Sequence, residues 1–349
     1  MSQRTMAALL AIPLLIGLFV VVGTQPLPYV TYSPGPSVDI LGSRDGEEII
    51  QVSGERVYPT VGELRLTTIY VTQPQDEVTL DELMGAWIDP TRAVYPYDSV
   101  YAPDETDESS DAESSVQMVS SQDSAVAAAL TELGYEVEPE VEVLYVDKDR
   151  PAHGKLEVRD IVVSIEGDEI RSSQDVIDAI DSAPAGQPVS FVVRRKDREV
   201  TVAVTPEVVD GDRRIGIQLG PGFTFPFDVS VDIGDNIGGP SAGLMLSLAI
   251  YDTLTPGPLT GGAVVAGSGT IDAEGQTGAI GGIQQKIAGA RDASAALFMV
   301  AADNCPDTLE LDTGDMRLVR VETMHDAVEA ISAWTEDRDA DLPTCEDNP

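Results

Sequence analysis

The chain is poor in basic residues, histidine and cysteine. Its 349 residues include 21 Lys and Arg against 60 Asp and Glu, for a formal net charge of -39, with two histidines and two cysteines. So little positive charge cannot neutralise phosphates, so we expect no nucleic-acid partner and no electrostatic docking on anionic lipid. The acidic excess instead predicts a solvated, self-repelling surface. The length allows two or three domains.

A nucleotide-binding loop is also missing. No G-x-x-x-x-G-K-[ST] sequence occurs, so the chain has no Walker A cradle for phosphates. We therefore predict an activity that is independent of ATP. We also predict no metal ion or other cofactor, since the two cysteines lack nearby histidine partners for a zinc site.

One long hydrophobic run stands at the N-terminus. Residues 6–23, MAALLAIPLLIGLFVVVG, carry no charge, and Arg4 is the basic residue that precedes them. Their length is near the lower limit for a membrane span, and the positive-inside rule places the N-terminus in the cytoplasm. A cleaved signal peptide is the alternative, because Val21 and Gly23 are small residues suited to a cleavage site. Both interpretations export residues 25–349, so we expect a single-pass protein of the cell membrane.

Strand patterns and one amphipathic helix occupy the middle of the chain. The acidic, Ser-rich stretch 102–115 predicts a mobile linker or loop. Beyond it, EVEVLYV, DIVVSIEGDEI, PVSFVVRR and EVTVAVTP are predicted strands, and SSQDVIDAIDSA is a helix that begins at Ser172 or Ser173. A small half-open sheet with one helix provides a groove that can accept an added peptide strand.

This segment resembles a PDZ domain, chiefly through HGKLEVRDIVVSIEGDEI. Bacterial members share an ordered set of residues that occurs here as Leu156, Asp160, Ile161, Val162, Ile165 and Gly167. Arg159 departs from the pattern, because a Gly usually precedes the Asp. The resemblance implies a peptide ligand. We predict that Gly134, Tyr135 and Val137 form its carboxylate-binding loop, although Glu136 would repel a peptide C-terminus.

Residues 212–335 are predicted to form one α/β domain around a serine with small neighbours. NIGGPSAGLMLSLAI (236–250) places Ser241 between glycines and before an apolar, core-type helix. At the first turn of that helix, backbone N–H groups and the positive end of the helix dipole lie beside Oγ, which suits a developing oxyanion. We name Gly239 and Ala242 as the backbone donors. The alternative is that Ser241 only caps the helix.

A histidine-based mechanism is one way to activate this serine. GPSAG matches the G-x-S-x-G elbow of α/β-hydrolases, which would require His325 together with Asp303 or Asp312. In that fold an apolar strand leads straight into the serine. The sequence DIGDNIGG that precedes Ser241 is polar instead, which disfavours this reading.

A lysine base is the second possibility. Lys286 lies in a predicted helix between Ile283 and Ile287. Apolar surroundings disfavour the charged form of a lysine, so its pKa falls and it can take a proton from a serine. A solvated surface lysine is the alternative for this residue.

GGPSAG followed by IGGIQQK resembles the proteolytic domain of Lon-type serine proteases. The resemblance implies that Ser241 is the nucleophile and Lys286 its general base. It also implies that Ser268, in AGSGTI, supplies a hydroxyl that hydrogen-bonds the lysine. Cytosolic Lon enzymes carry an Asp three residues before the serine, where this chain has Gly238. Any contribution of such an acid must come from elsewhere, and Asp235 is the candidate.

The order of the parts resembles the membrane-anchored, PDZ-containing Lon-like proteases of bacteria, so we predict a multidomain α+β protein. Its predicted segments are a cytoplasmic tip and transmembrane anchor (1–24), a membrane-proximal strand-rich region without a catalytic constellation (25–101), the acidic linker (102–115), the PDZ-like domain (116–209), the Lon-like proteolytic domain (212–335) and an acidic C-terminal tail (336–349). The resemblance implies an extracytoplasmic serine endopeptidase that acts on proteins or peptides and assembles as a homo-oligomer. A non-catalytic peptide-binding scaffold is the rival interpretation.

The two cysteines, Cys305 and Cys345, both lie in the exported part. Disulfides persist outside the cytoplasm, and an even number of cysteines favours pairing. We therefore predict a Cys305–Cys345 disulfide that folds the charged tail back against the proteolytic domain.

Overall fold

The computed structural model describes residues 3–23, 25–184, 186–196, 198–209, 211–234, 237–309 and 311–346. The helices are α1 (Gln3–Gly23), α2 (Leu80–Ile88), α3 (Asp107–Glu132), α4 (Ser173–Ser182), α5 (Gly243–Leu254), α6 (Ile283–Asp292) and α7 (Met324–Glu336). The strands are β1 (Tyr29–Asp39), β2 (Ser43–Arg44), β3 (Glu47–Glu48), β4 (Ile50–Ser53), β5 (Glu63–Val71), β6 (Ala93–Pro96), β7 (Glu138–Val146), β8 (Ile161–Ile165), β9 (Asp168–Glu169), β10 (Val189–Arg195), β11 (Arg198–Val204), β12 (Glu207–Val209), β13 (Asp212–Arg214), β14 (Ile217–Thr224), β15 (Asp228–Val231), β16 (Val264–Ser268), β17 (Thr270–Ile271), β18 (Thr277–Gly278), β19 (Leu297–Ala301) and β20 (Arg317–Val321).

The larger sheet combines strands from both ends of the chain. Its order is β20-β19-β16-β5-β1-β6, with β16 parallel to β5 and β19, and with β1 antiparallel to β5 and β6. The predicted boundary between residues 25–101 and 212–335 therefore does not separate two folded units. The physical reason is that β16 is largely buried, so its backbone groups need hydrogen-bonding partners on both edges.

Helices cover both faces of this sheet. Alternate side chains such as Val265 and Met299 pack with α3, α5 and α7 on one face. Their neighbours Ala266 and Phe298 pack with α6 on the other. This alternation follows from the two-residue period of a strand. It places α5, which follows Ser241, and α6, which carries Lys286, on opposite sides of β16.

The predicted linker at 102–115 is wrong for residues 107–115, which are the first turns of α3. Thr106 caps the helix, since its Oγ1 accepts from the Ser109 N–H at 3.2 Å and Ser109 Oγ accepts from the Thr106 N–H at 3.0 Å. Two acidic residues in the first turn stabilise the helix, because their negative charges lie at the positive end of its dipole. The helix ends before Gly134, whose φ of 84° suits a glycine C-terminal cap.

A second sheet, β11-β10-β8-β7-β14, encloses its own core with α4. It lies between the two halves of the larger sheet in the sequence. Arg159, which stands where similar PDZ domains have glycine, adopts a φ of 72°, the left-handed region that favours glycine. Its guanidinium forms an ion pair with the buried carboxylate of Asp123 on α3. The departure from the pattern therefore ties α3 to this sheet.

The C-terminal segment packs on the domain. The disulfide between Cys305 and Cys345 is present, as predicted. Leu342 is buried, and the Arg320 N–H donates to the Pro343 carbonyl at 3.0 Å. The disulfide thus holds a segment that has little apolar surface of its own.

The N-terminal hydrophobic run forms α1. No helix in the described ranges is both long enough and apolar enough to cross a membrane.

Candidate active site

Ser241 and Lys286 meet at the start of their helices. Ser241 lies in a short 3-10 turn, Pro240–Ala242, that runs directly into α5, and Lys286 lies in the first turn of α6. The Lys286 Nζ and Ser241 Oγ atoms are 2.6 Å apart. Gly239 precedes the turn with a φ of 82°, a backbone conformation that L side chains rarely adopt. The two small-residue motifs therefore converge on one hydrogen-bonded pair.

Ser268, at the end of β16, links the pair. Its Oγ accepts a hydrogen bond from Lys286 Nζ at 3.0 Å and donates one to the Ser241 carbonyl at 2.9 Å. The Gly269 N–H donates to the same carbonyl at 3.2 Å. These bonds fix the position of the Ser241 backbone and orient one N–H group of the Lys286 amine toward Ser268. The amine lone pair can then point toward Ser241 Oγ.

The Lys286 amine is almost completely buried. Its side chain is 3% exposed, and burial lowers its pKa from 10.5 to about 7. The cause is the desolvation of the charged form. A lysine with such a pKa is substantially neutral at physiological pH and can act as a base.

Residues before position 100 help to bury this lysine. Helix α6 packs against β1 and β5, and a Cβ at Gly282 would lie 2.8 Å from Ile69 Cδ1. A Cβ at Gly289 would likewise lie 3.3 Å from the Gly35 carbonyl oxygen. The strand-rich region contributes no reacting group that we identify, yet it supplies the wall behind the lysine.

The predicted oxyanion donors differ in their surroundings. The Gly239 N–H donates to the Ser114 carbonyl of α3 at 3.0 Å. This N–H is thus engaged within the protein, which contradicts its predicted role in this conformation. Ala242 is buried in the turn beside Ser241. Asp235, the candidate for the missing acid, lies outside the described residues.

Helix α3 also explains the glycine at position 238. A Cβ at Gly238 would lie 2.8 Å from Ser114 Cβ, closer than side chains pack. The aspartate that Lon enzymes carry here would therefore require α3 to move. The departure from the Lon pattern follows from a helix that packs directly on the segment before Ser241.

The histidine required by the α/β-hydrolase alternative is bound elsewhere. His325 Nδ1 lies 2.7 Å from Glu132, and its Nε2 lies 3.3 Å from Glu329. These carboxylates raise the pKa of the exposed imidazole. Asp312 pairs with Arg291. The structure brings neither residue to Ser241, whose Oγ partner is Lys286.

A groove of about 490 Å³ lies between α4 and the start of β14. Its apolar walls include Val176 and Ile180 of α4 and Ile217 and Leu219 of β14. Three arginines line the groove, in a chain that is otherwise strongly acidic: Arg150, Arg213 and Arg214. Strand β14 is the last strand of its sheet in the described part of the chain, so its outer edge can pair with an added strand.

The predicted peptide-binding residues lie away from this groove. Gly134 ends α3, the Tyr135 ring packs against Phe227 with centroids 5.2 Å apart, and Val137 packs on the core of the larger sheet. This segment follows the end of α3, and Tyr135 and Val137 pack on the other core. The missed signal was RRIGIQL, in which Gly216 adopts a φ of 79° between two isoleucines that line the groove.

Comparisons with known proteins agree with this arrangement. Residues 115–205 match the family model of the PDZ domain, and residues 234–333 match that of the Lon protease (S16) C-terminal proteolytic domain. The chain therefore contains both domains, and it is a serine-type peptidase of the PDZ-containing, Lon-like kind. The resemblance predicted from the sequence is confirmed. No curated protein sequence matches the chain.

Solved PDZ domains are similar in sequence to part of the chain. PDZ domains of SdrC-like proteins from Listeria innocua and Listeria monocytogenes are 32% identical over 23% of this chain, covering 92% and 86% of those chains, with TM-scores of 0.22. A protein from Geobacillus thermodenitrificans is 23% identical over 21% of this chain and 84% of its own, with a TM-score of 0.20. At these TM-scores the family assignment rests on the two family models.

Proposed function

We propose that the protein is an ATP-independent, extracytoplasmic serine endopeptidase in which Ser241 is the nucleophile and Lys286 its general base. The observation that carries this proposal is the 2.6 Å approach of Nζ to Oγ at a lysine whose burial lowers its pKa to about 7. A neutral amine at that distance can remove the hydroxyl proton as Oγ attacks a carbonyl carbon.

The chemistry follows an acyl-enzyme route. Lys286 Nζ takes the Ser241 proton while the Oγ–C bond forms, and then donates it to the leaving amine as the C–N bond breaks. The peptide acyl group remains on Ser241 as an ester. Neutral Lys286 next removes a proton from water, whose oxygen attacks the ester, and that proton returns to Ser241 Oγ when the acid product leaves.

Covalent labelling with a fluorophosphonate tests the dyad. We expect the wild-type protein to incorporate the probe at Ser241 and the Lys286→Ala variant to lose at least 100-fold in labelling rate, in line with the contribution of a positioned base. Ser247→Ala is the matched control, because Ser247 is a buried serine of α5 whose Oγ donates to the Leu244 carbonyl. A folded wild-type protein that never labels would support the scaffold interpretation instead.

The PDZ domain is proposed to present substrates through the groove between α4 and β14. An extended chain would add to the outer edge of β14, with alternate side chains against α4. Arg213 and Arg214, in the strand that precedes β14, favour a free C-terminal carboxylate near the start of β14. Isothermal titration of Ser241→Ala with peptides that end in a carboxylate or an amide tests this. Equal affinity for both forms would exclude carboxylate recognition.

The proposal includes an extracytoplasmic location, with the N-terminal run either retained as an anchor or cleaved. Its support is the uncharged run at 6–23 and the disulfide, which is typical of an oxidising compartment. Carbonate extraction of membranes and N-terminal sequencing of the extracted protein distinguish a retained helix from a cleaved one. Homo-oligomerisation, implied by the Lon resemblance alone, is measured by sedimentation of the detergent-solubilised protein.

A further inference from the structure

A second cavity, of about 290 Å³, lies where the PDZ sheet, α3 and the catalytic turn meet. Its apolar lining comes from all three: Val116 of α3, Leu144 of β7, Leu219 and Pro221 of β14, and Pro240 and Ile271 beside Ser241 and Ser268. Liquid water occupies about 30 Å³ per molecule, so this volume equals roughly ten waters and can hold one large side chain. The rest of the wall is formed by Gly220 and by polar residues of α3: Gln117, Ser120, Ser121 and Ser124.

Strand β14 borders both the cavity and the proposed peptide groove. Leu219 lines both spaces, while the next residues of β14, Gly220 and Pro221, line the cavity. The groove lies on the α4 side of the sheet. Leu144 points away from the PDZ core on the other side, where its methyl group would lie 2.3 Å from a Cβ at Gly220. A strand added to β14 would therefore direct alternate side chains to the groove and to the cavity.

We propose that this cavity is a second substrate subsite that binds a large apolar side chain of the polypeptide held by the PDZ domain. The inference rests on the proposed function and goes beyond it, because it assigns a residue preference to a defined place in the substrate. A side chain in the cavity would touch Pro240, the residue before the nucleophile. The peptide would thus be held at the PDZ groove and at the catalytic turn together.

The position of the preferred side chain follows from strand geometry. With the peptide carboxylate near Gly216, the added strand runs antiparallel to β14. Pro221 lies five residues beyond Gly216, and residues of paired strands match one to one. The apolar side chain is therefore expected about four to five residues upstream of the peptide C-terminus. Its immediate neighbours in the peptide would face the α4 side.

A positional scan tests the subsite in the Ser241→Ala variant, where binding is measured without cleavage. The probes are fluorescein-labelled peptides of ten residues with a Ser/Gly background, an apolar C-terminal residue and a free carboxylate. A single Leu replaces one background residue at a time. Fluorescence anisotropy should show a tenfold to hundredfold tighter Kd at one upstream position, as burial of one such side chain provides. A flat scan overturns the inference.

A variant that fills the cavity provides a second test of the subsite. Ser120 lines it from α3, so Ser120→Phe should reduce the preference for Leu over Ala at the sensitive position to less than twofold. Ser115→Phe is the matched control, because Ser115 is an exposed serine of the same helix outside the cavity. That control should retain the preference. A preference that survives Ser120→Phe, with the fold verified by circular dichroism, also overturns the inference.

Failure of the proposed function has a different signature. A wild-type protein that does not react with the fluorophosphonate would refute the Ser241–Lys286 dyad, whatever the peptides do. Normal labelling together with a flat Leu scan would refute only the subsite. The two readouts use different variants and different probes, so each outcome belongs to one proposal.

Discussion

Replacing Lys286 by Met should abolish activity and stabilise the protein near neutral pH. In the folded protein burial lowers the lysine pKa to about 7, whereas the ordinary value is 10.5. At pH 7 the unfolded chain therefore binds a proton at Lys286 that the folded protein binds only in part. Folding must release this proton, and that requirement lowers the free energy of unfolding. Methionine has a similar unbranched side chain and no charge to desolvate.

The magnitude follows from the two pKa values. At about 1.4 kcal/mol per pKa unit, the difference between 10.5 and about 7 corresponds to about 5 kcal/mol at neutral pH. The variant loses the hydrogen bonds of Nζ with Ser241 and Ser268, each worth about 1 kcal/mol. We therefore expect Lys286→Met to raise the free energy of unfolding by about 3 kcal/mol at pH 7.

The pH dependence has a definite sign. Between about pH 7 and 10.5 the unfolded wild-type protein binds more protons at this site than the folded one, so wild-type stability rises with pH through this window. The advantage of the variant should therefore shrink as pH rises from 7. Above the ordinary lysine pKa the variant should be the less stable protein, because only the lost hydrogen bonds remain.

Urea unfolding under non-reducing conditions at pH 6, 7, 8, 9 and 10 provides the measurement. The quantity compared is the wild-type to variant difference in unfolding free energy at each pH, which cancels other titrating groups. Lys155→Met is the matched control, since Lys155 is exposed and should give a flat difference. A pH-independent difference for Lys286→Met between pH 7 and 10 would refute the argument that Lys286 is held largely neutral.

Four further predictions concern the reaction and the fold. The rate of Ser241 acylation should rise with pH and reach half its maximum near pH 7. Lys286→Arg should abolish acylation, whereas His325→Ala should change its rate less than twofold. Loss of activity in the histidine variant, with the fold intact, would reverse the assignment of the base. Gly238→Asp should lower the urea concentration at the unfolding midpoint, because the new side chain would collide with α3. An unchanged midpoint would show that α3 can move to accommodate it. Replacing Cys305 and Cys345 together by Ser should lower the free energy of unfolding by about 4 kcal/mol at most, as measured by thermal unfolding. Probe labelling should show an unchanged acylation rate. Loss of acylation would show that the disulfide takes part in catalysis. The rate of peptide hydrolysis by the purified protein should not respond to ATP and Mg²⁺, because the sequence has no Walker A loop. An ATP-dependent increase in this rate would contradict the inference that the activity is independent of ATP.

Local sequence was sufficient where short-range chemistry determines structure. The motif around Ser241 predicted a serine in the first turn of a buried helix, and the apolar neighbours of Lys286 indicated burial. Both features depend on residues within one or two helical turns. The disulfide was also predictable, because two cysteines allow one intramolecular pairing.

Errors arose where sequence composition competed with tertiary contacts. Residues 107–115 look like a solvated linker by composition, but a capping box starts a helix there and the later turns of α3 bury an apolar face against α5. The predicted peptide-binding residues also lie outside the groove beside α4. The residues after α3 belong to the core of the larger sheet, and the groove is built by β14, which follows the matched PDZ residues.

Short motifs were enough to predict the class of enzyme and the candidate pair Ser241 and Lys286, whereas the surroundings of that pair depend on contacts between distant segments. β5 pairs with β16 about 200 residues away, and α6 packs on β1 and β5, so the wall that buries Lys286 comes from the other end of the chain. α3 likewise leaves no room for a side chain at position 238, and its Ser114 carbonyl accepts a hydrogen bond from the Gly239 N–H. Strand pairing and helix packing depend on hydrogen bonds and apolar contacts between distant segments, which no local pattern encodes.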